Sequence, residues 1–206
     1  MARRAARPTP PAPRPRLRVI AGSLRGRRLV APAGQSVRPT KDIVREAVFS
    51  ALVARDAIAD AAVLDLYAGS GALGVEALSR GAERAVFVER DASALAAIAQ
   101  NVAQLDLGSR ARIVRLDVVR FLAGPPPPEA PFGVVLADPP YDTSDTDAAA
   151  VLQAVMAPGW LTDDALVSVE RPTRAGSDLP NRFRACWERT FGDTLVFFVD
   201  ASEPPI

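Results

Sequence analysis

Residues 62–79 read AVLDLYAGSGALGVEALS, and this stretch decides the fold. Ala62–Tyr67 is a short apolar run with one carboxylate, Asp65, as a strand buried on both faces would be. Asp65-Leu-Tyr67-Ala68-Gly69-Ser70-Gly71-Ala-Leu-Gly74 follows the spacing G-x-G-x-x-G, and GVEALSRG beyond it has helical character. A glycine turn between a strand and a helix lets the backbone approach a ligand, and the helix N-terminus favours an anionic or polar group. Glu89 lies 24 residues past Asp65, at the end of the next apolar run, where a carboxylate can hold ribose hydroxyls. Together these features point to a nucleoside-containing cofactor and leave open whether it is a dinucleotide or S-adenosylmethionine.

The alternation continues downstream. Residues 84–90 (RAVFVER), 111–117 (ARIVRLD), 132–138 (FGVVLAD) and 165–170 (ALVSVE) are further apolar runs, with Ala-rich DASALAAIAQNVAQLDL after the first and Asp91 as its N-cap. RACWERTFG and TLVFFVD read as a closing antiparallel pair. Strands alternating with helices predict an α/β, Rossmann-like fold with a mostly parallel sheet covered on both faces.

The fourth strand runs into Asp138-Pro139-Pro140-Tyr141. In an open α/β sheet ligands sit beyond the carboxyl ends of the strands, so this tetrapeptide shares a rim with Gly69 and Gly71. The prolines hold the chain extended and remove two N–H donors. A carboxylate and a backbone carbonyl can then accept both hydrogens of an exocyclic amino group, and Tyr141 offers a face on which a base can stack.

At 206 residues the chain fits one α/β domain with a short appendage. It has no histidine and one cysteine, Cys186, which excludes a disulfide scaffold, a Cys/His zinc site and any Ser-His or Cys-His pair. No apolar run is long enough to span a membrane, and the first residues lack the apolar core of a secretory signal. The net charge of +1 conceals an asymmetry: residues 1–41 carry eleven basic side chains and no acid, whereas the remainder carries a balance of −10. A basic arm on an acidic body suits a polyanion.

Residues 1–16 mix Arg, Ala and Pro and are expected to form a disordered arm. Residues 17–55 are expected to form an extension of hairpin and helix. In it Leu17–Ala21 and Arg27–Ala31 flank a turn containing Arg25, and Thr40 caps a helix whose buried face is Val44, Ala47, Val48, Ala51 and Leu52. Lys41 and Arg45, four apart, are expected on one polar side of that helix, next to Arg38. Residues 56–206 form the cofactor-binding domain.

The glycine turn followed by Asp-Pro-Pro-Tyr resembles the class I methyltransferases that modify exocyclic nitrogen. The set RVIAGSLRGRRL, RPTKDIVREAVFSAL, VLDLYAGSGALGVEALSRGA, VFVERD and ADPPY resembles the RsmD family, the 16S rRNA guanine-N2 methyltransferases, from about Arg18 to Val199. Many members carry Asn at the position of Asp138, and Asp also occurs there.

The resemblance implies S-adenosylmethionine as cofactor and a seven-stranded sheet with an antiparallel C-terminal strand. It implies that Asp65, Tyr67, Ala68, Gly69, Ser70 and Gly71 line the methionine end, that Glu89 holds the ribose, and that Asp117 and Val118 meet the adenine. Asp138 and the Pro139 carbonyl, with Pro140 and Tyr141, would grip and stack the target base. Arg25, Arg38, Thr40, Lys41 and Arg45 would contact rRNA or border the cofactor. The expected partner is 16S rRNA or the assembling 30S subunit, with no metal and no membrane, for a cytoplasmic monomer. The competing readings are an amino methyltransferase acting on DNA (adenine N6 or cytosine N4), on another RNA or on a protein glutamine, an NAD-dependent oxidoreductase, and a non-catalytic RNA-binding module. Cys186, in a late strand away from the rim, is badly placed for base C5 methylation.

Overall fold

The computed structural model describes residues 17–33, 39–175, 183 and 185–202. The Arg/Pro arm 1–16 and Arg38 lie outside the described residues. Seven strands form one sheet: β1 (Ala62–Leu66), β2 (Arg84–Glu89), β3 (Ala111–Arg115), β4 (Phe132–Ala137), β5 (Leu161–Pro172), β6 (Ala185–Phe191) and β7 (Thr194–Asp200). Their order is β3-β2-β1-β4-β5-β7-β6. Strands β1 to β5 pair in parallel, and β7 runs antiparallel to both β5 and β6.

Among the described residues five α-helices accompany the strands: α1 (Pro39–Val53), α2 (Ala72–Ser79), α3 (Ala92–Gln104), α4 (Val118–Leu122) and α5 (Asp145–Val155). The order reverses at β1, which lies between β2 and β4, so the loops after β1 and β4 part there and open a crevice. Every residue of β1 is buried, because layers cover both faces. Val63, Leu136 and Phe87 pack with α1, α2 and α3 on one side, and Leu64, Ala137 and Val167 pack with α4 and α5 on the other.

The expected hairpin is present in reduced form. Its ladder is one antiparallel bridge, Arg18 to Arg28, flanked by the hydrogen bonds from the Val19 amide to Arg27 and from the Leu29 amide to Leu17. Two short strands cannot stand alone, and this pair is fastened to the helices behind it. The Ile20 and Ala21 amides donate to the two oxygens of the fully buried Glu76 carboxylate on α2, at 2.7 and 2.9 Å. Asn101 on α3, also fully buried, bridges the Val30 amide, the Val30 carbonyl and the Ser70 carbonyl. Val19, Leu29 and the buried face of α1 belong to the same core as the sheet, so residues 17–55 share their packing with the cofactor-binding fold.

Two expectations about α1 are corrected. The helix begins at Pro39, so Thr40 lies inside its first turn and is not the cap; a proline is well suited to that first position because its missing N–H would be unpaired anyway. Arg45 does not share an exposed side with Lys41. It is buried, and its Nη2 donates to the Arg18 carbonyl at 2.6 Å and to Asp42 at 3.0 Å. The guanidinium braces the hairpin against α1, because the docked hairpin covers what would otherwise be a solvated side of the helix.

Candidate functional site

The chain leaves β1 through three residues with positive φ within five positions: Tyr67 (59°), Gly69 (55°) and Gly71 (74°). Left-handed backbone in a tyrosine is strained, and such strain concentrates at ligand-binding turns. A Cβ placed on Gly69 would meet nothing closer than the Tyr67 carbonyl oxygen at 3.8 Å, so that position faces open space. Gly74 has the opposite reason for being glycine: a Cβ there would lie 2.3 Å from Cε1 of Phe87, and its absence lets α2 settle on β2. Gly71 caps α2 without a side chain, which leaves the helix N-terminus available to a ligand.

Asp65 is buried beneath this turn. Its Oδ2 accepts a hydrogen bond from the Gly74 amide at 2.9 Å, and its Oδ1 has no partner. Burial holds the carboxyl well above the usual carboxylate range; the Gly74 amide opposes this, and repulsion from Asp138 and Glu89 adds to it. Glu89, at the end of β2, fastens the turn to the next strand. Its Oε2 accepts from the Gly69 amide at 2.9 Å, and its Oε1 accepts from the Arg90 and Asp91 amides at 2.7 and 2.8 Å. A carboxylate offers about four acceptor positions, so one is left for a hydroxyl. Asp117 caps α4 through the Val119 and Arg120 amides and pairs with Arg90 at 3.1 Å across the rim.

A cleft of about 360 Å³ opens along these groups, a volume suited to a nucleoside-sized ligand. It brings together Tyr67, Gly69, Glu89, Asp117 and Val118 with all of Asp138, Pro139, Pro140 and Tyr141. Tyr141 is 48% exposed, unusual for a large ring and appropriate for a stacking platform. The Pro140 carbonyl accepts from the Thr143 amide at 2.9 Å, which leaves Pro139 the better placed of the two to present a carbonyl to a ligand.

Lys41 reaches the same cleft from α1, and its Nζ donates to Asp138 Oδ2 at 3.0 Å. Burial works against the charge on Lys41, but attraction to Asp138, Glu170 and Tyr141 outweighs it and holds the ammonium above its ordinary value.

The other expected residues stand back from the cleft. Asp65, Ala68, Ser70 and Gly71 shape the turn from behind its lining; the Gly71 amide donates to the Ala68 carbonyl at 2.7 Å. Arg25 is exposed on the hairpin turn, away from the lining residues. Thr40 is described in its backbone only, within α1. Cys186 lies in β6, the far edge of the sheet from β3 and three strands from β4.

Arg90, Leu116 and Ala94 also line the cleft, and Glu170 faces Asp138; sequence reading singled out none of them. Leu116 is 37% exposed; its signal in the sequence was a leucine directly after an apolar run and directly before an N-cap aspartate.

These residues fit S-adenosylmethionine. The unpaired buried Oδ1 of Asp65 lies under the turn, the space at Gly69 admits a ligand backbone, and Glu89 retains an acceptor for a ribose hydroxyl.

Comparison with known proteins agrees with this geometry. The family described as "Conserved hypothetical protein 95" matches residues 17–200. Ribosomal RNA small subunit methyltransferase D of Escherichia coli K12 is 39% identical over 160 residues, 78% of this chain and 77% of that protein. The Haemophilus influenzae protein of the same name is 33% identical over 177 residues, 85% of this chain and 89% of its own. The solved structure of yhhF from Escherichia coli superposes with a TM-score of 0.77 at 34% identity, covering 90% of this chain and 98% of the other. With the described sheet order, the glycine turn and the Asp-Pro-Pro-Tyr rim all in place, the chain belongs to the RsmD family.

Proposed function

We propose that this chain methylates the exocyclic N2 of a guanine in 16S rRNA of the small ribosomal subunit. Membership of the family makes it an S-adenosylmethionine-dependent rRNA methyltransferase; the choice of guanine N2 is the step beyond. The observation that carries the proposal is that one cleft holds Asp138 and Tyr141 together with Gly69 and Glu89, an amine acceptor and a base platform next to a cofactor cradle.

When bound, S-adenosylmethionine would supply an electrophilic methyl group on a sulfonium, with a neutral thioether as leaving group. The protein's part is to hold and aim. Glu89 would accept a hydrogen bond from a ribose hydroxyl, while Asp117, Val118 and Leu116 would border the adenine. Guanine N2 is a poor nucleophile because its lone pair is delocalised into the ring. Asp138 and the Pro139 carbonyl accept its two N–H bonds, which localises the lone pair and directs it outward. Tyr141 stacks on the base, which must be unpaired or flipped to reach the cleft. As the N–C bond forms, nitrogen gains positive charge, which the Asp138 carboxylate offsets. The proton then leaves nitrogen for Asp138 or water, so no histidine is needed. Exposed Arg25 and the basic segment before α1 supply charge for the RNA backbone.

Tritiated methyl transfer onto 30S subunits, naked 16S rRNA and DNA, followed by nucleoside digestion, tests this. N2-methylguanosine in the rRNA is the expected product. A methylated adenine or cytosine in DNA, or a labelled protein, overturns it.

A further inference from the structure

Glu170 is absorbed by none of the roles above, yet the sheet places it beside the reacting centre. In the parallel pairing of β4 with β5, Ala137 is opposite Val169, so Asp138, just past the end of β4, stands level with Glu170 within β5. Ala137 and Val169 pack on the α4/α5 face, which turns both following carboxylates to the α1 face. Asp65 on β1 shares that face, with Val63 and Leu136. Three carboxylates therefore converge where α1 presents Lys41 and Arg45, while β7 offers Glu170 only Val196 as its register partner.

Their surroundings differ. Lys41 holds Asp138 at 3.0 Å, and Arg45 is committed to Arg18 and Asp42. The Glu170 carboxyl is held by no hydrogen bond from a described residue. Burial raises it to about 8; repulsion from Asp138 and Asp65 adds to this, and Lys41 and Arg45 oppose it.

This creates a difficulty for the chemistry proposed above. Lys41 holds one of the two Asp138 oxygens and neutralises the charge that would offset a nitrogen becoming cationic. When the amine arrives, a half-buried ammonium left without a partner would be costly. We propose that Glu170 is a positioning residue that receives Lys41 when Asp138 engages the substrate amine. Lys41 thus moves between two carboxylates on one face of the sheet, and its departure leaves the full negative charge of Asp138 to the nitrogen becoming cationic. The proposal rests on reading Asp138 as the amine acceptor.

The test uses the fact that Lys41 is the only lysine in the chain. In full-length protein labelled with ¹⁵N,¹³C-lysine, the side-chain signal is that of Lys41. Titrated from acid to alkaline pH, it is expected to show an inflection near the Glu170 value of about 8, absent in Glu170→Gln and restored in Glu170→Asp. In single-turnover methyl transfer, the wild-type rate rises through the same region. The Glu170→Gln rate stays flat and lies about tenfold below the wild-type alkaline plateau, the size expected when two interacting charges are uncoupled. Adding Glu170→Gln to Lys41→Met produces no further loss. An unchanged Lys41 titration in Glu170→Gln, a wild-type pH profile in that variant, or independent effects of the two substitutions overturns the proposal. A product other than N2-methylguanosine removes the guanine reading, while the Lys41 titration still decides whether Glu170 is coupled to Lys41.

Discussion

The Glu89 carboxylate accepts a hydrogen bond from the Gly69 amide at 2.9 Å, so the acid that ends the second strand is tied to the glycine turn that follows the first. The two sequence signals read separately for a nucleoside are thus one mechanical unit, and a ligand seated on the turn meets a carboxylate already oriented by three backbone amides. Glu89→Ala is expected to free the turn and remove the ribose acceptor together. Calorimetry should show a loss of S-adenosylmethionine affinity of about tenfold or more, the size of one charge-assisted hydrogen bond; unchanged affinity would contradict the assignment.

Asp138→Ala separates binding from chemistry. The carboxylate touches Lys41 and the cleft but does not support the glycine turn. Methyl transfer is expected to be abolished, with cofactor affinity within about twofold of wild type, since an interaction made only in the transition state affects rate and not binding. An active Asp138→Ala enzyme would sink the mechanism.

Gly69 and Gly74, five residues apart, should fail in different ways. Gly74→Ala drives a methyl into Phe87, at 2.3 Å from Cε1 and 2.8 Å from Cζ. The cost is expected as about 1–3 kcal/mol of stability in urea titrations. Gly69→Ala meets no packed atom and incurs only left-handed strain of about 1–2 kcal/mol. Its Cβ projects into ligand space, so S-adenosylmethionine affinity should fall more than stability does.

Glu76 anchors the hairpin. Its buried carboxylate accepts from the Ile20 and Ala21 amides and from Arg80 Nε at 2.8 Å, with Arg45 Nε at 3.8 Å. Glu76→Ala leaves two part-buried amides and the Arg80 guanidinium without their acceptor, a loss expected at about 3–5 kcal/mol. Limited proteolysis should then cut first within residues 17–33, whereas wild-type protein resists there.

Stability should decline from mildly acid to mildly alkaline pH. Glu170 titrates near 8 when folded against an ordinary 4.5, so between those values the folded protein binds a proton that the unfolded chain has released. Stability is then lost as pH rises through that window. Asp65, also held upward, acts in the same direction. In Glu170→Gln this part of the slope disappears. At pH 8.5 the variant is expected to melt at least about 3 °C above wild type, given roughly 2–4 °C per kcal/mol at this chain length. Parallel melting curves across pH would refute the buried proton.

The strands after residue 62 were legible because each is a run of apolar residues whose burial on two faces is written into consecutive positions. The positions of the glycine turn, Glu89 and Asp-Pro-Pro-Tyr on one rim were legible because each is a few neighbouring residues at the end of a strand. Arg45 was misread for a reason of the same kind: its i, i+4 relation to Lys41 is local, whereas the hairpin carbonyl it binds, that of Arg18, lies 27 residues earlier. Glu170 closes an ordinary apolar run within β5, and nothing beside it in the chain marks it.

From the chain alone came the alternation of strand and helix, the glycine turn and the Asp-Pro-Pro-Tyr strand end, since periodicity and short motifs are properties of adjacent residues. Only the folded sheet decided that Glu170 stands level with Asp138, that Lys41 rather than Arg45 reaches the cleft, and that Glu76 faces the hairpin amides. Those relations follow from strand register and helix docking, where the burial of many distant side chains together determines which charges meet.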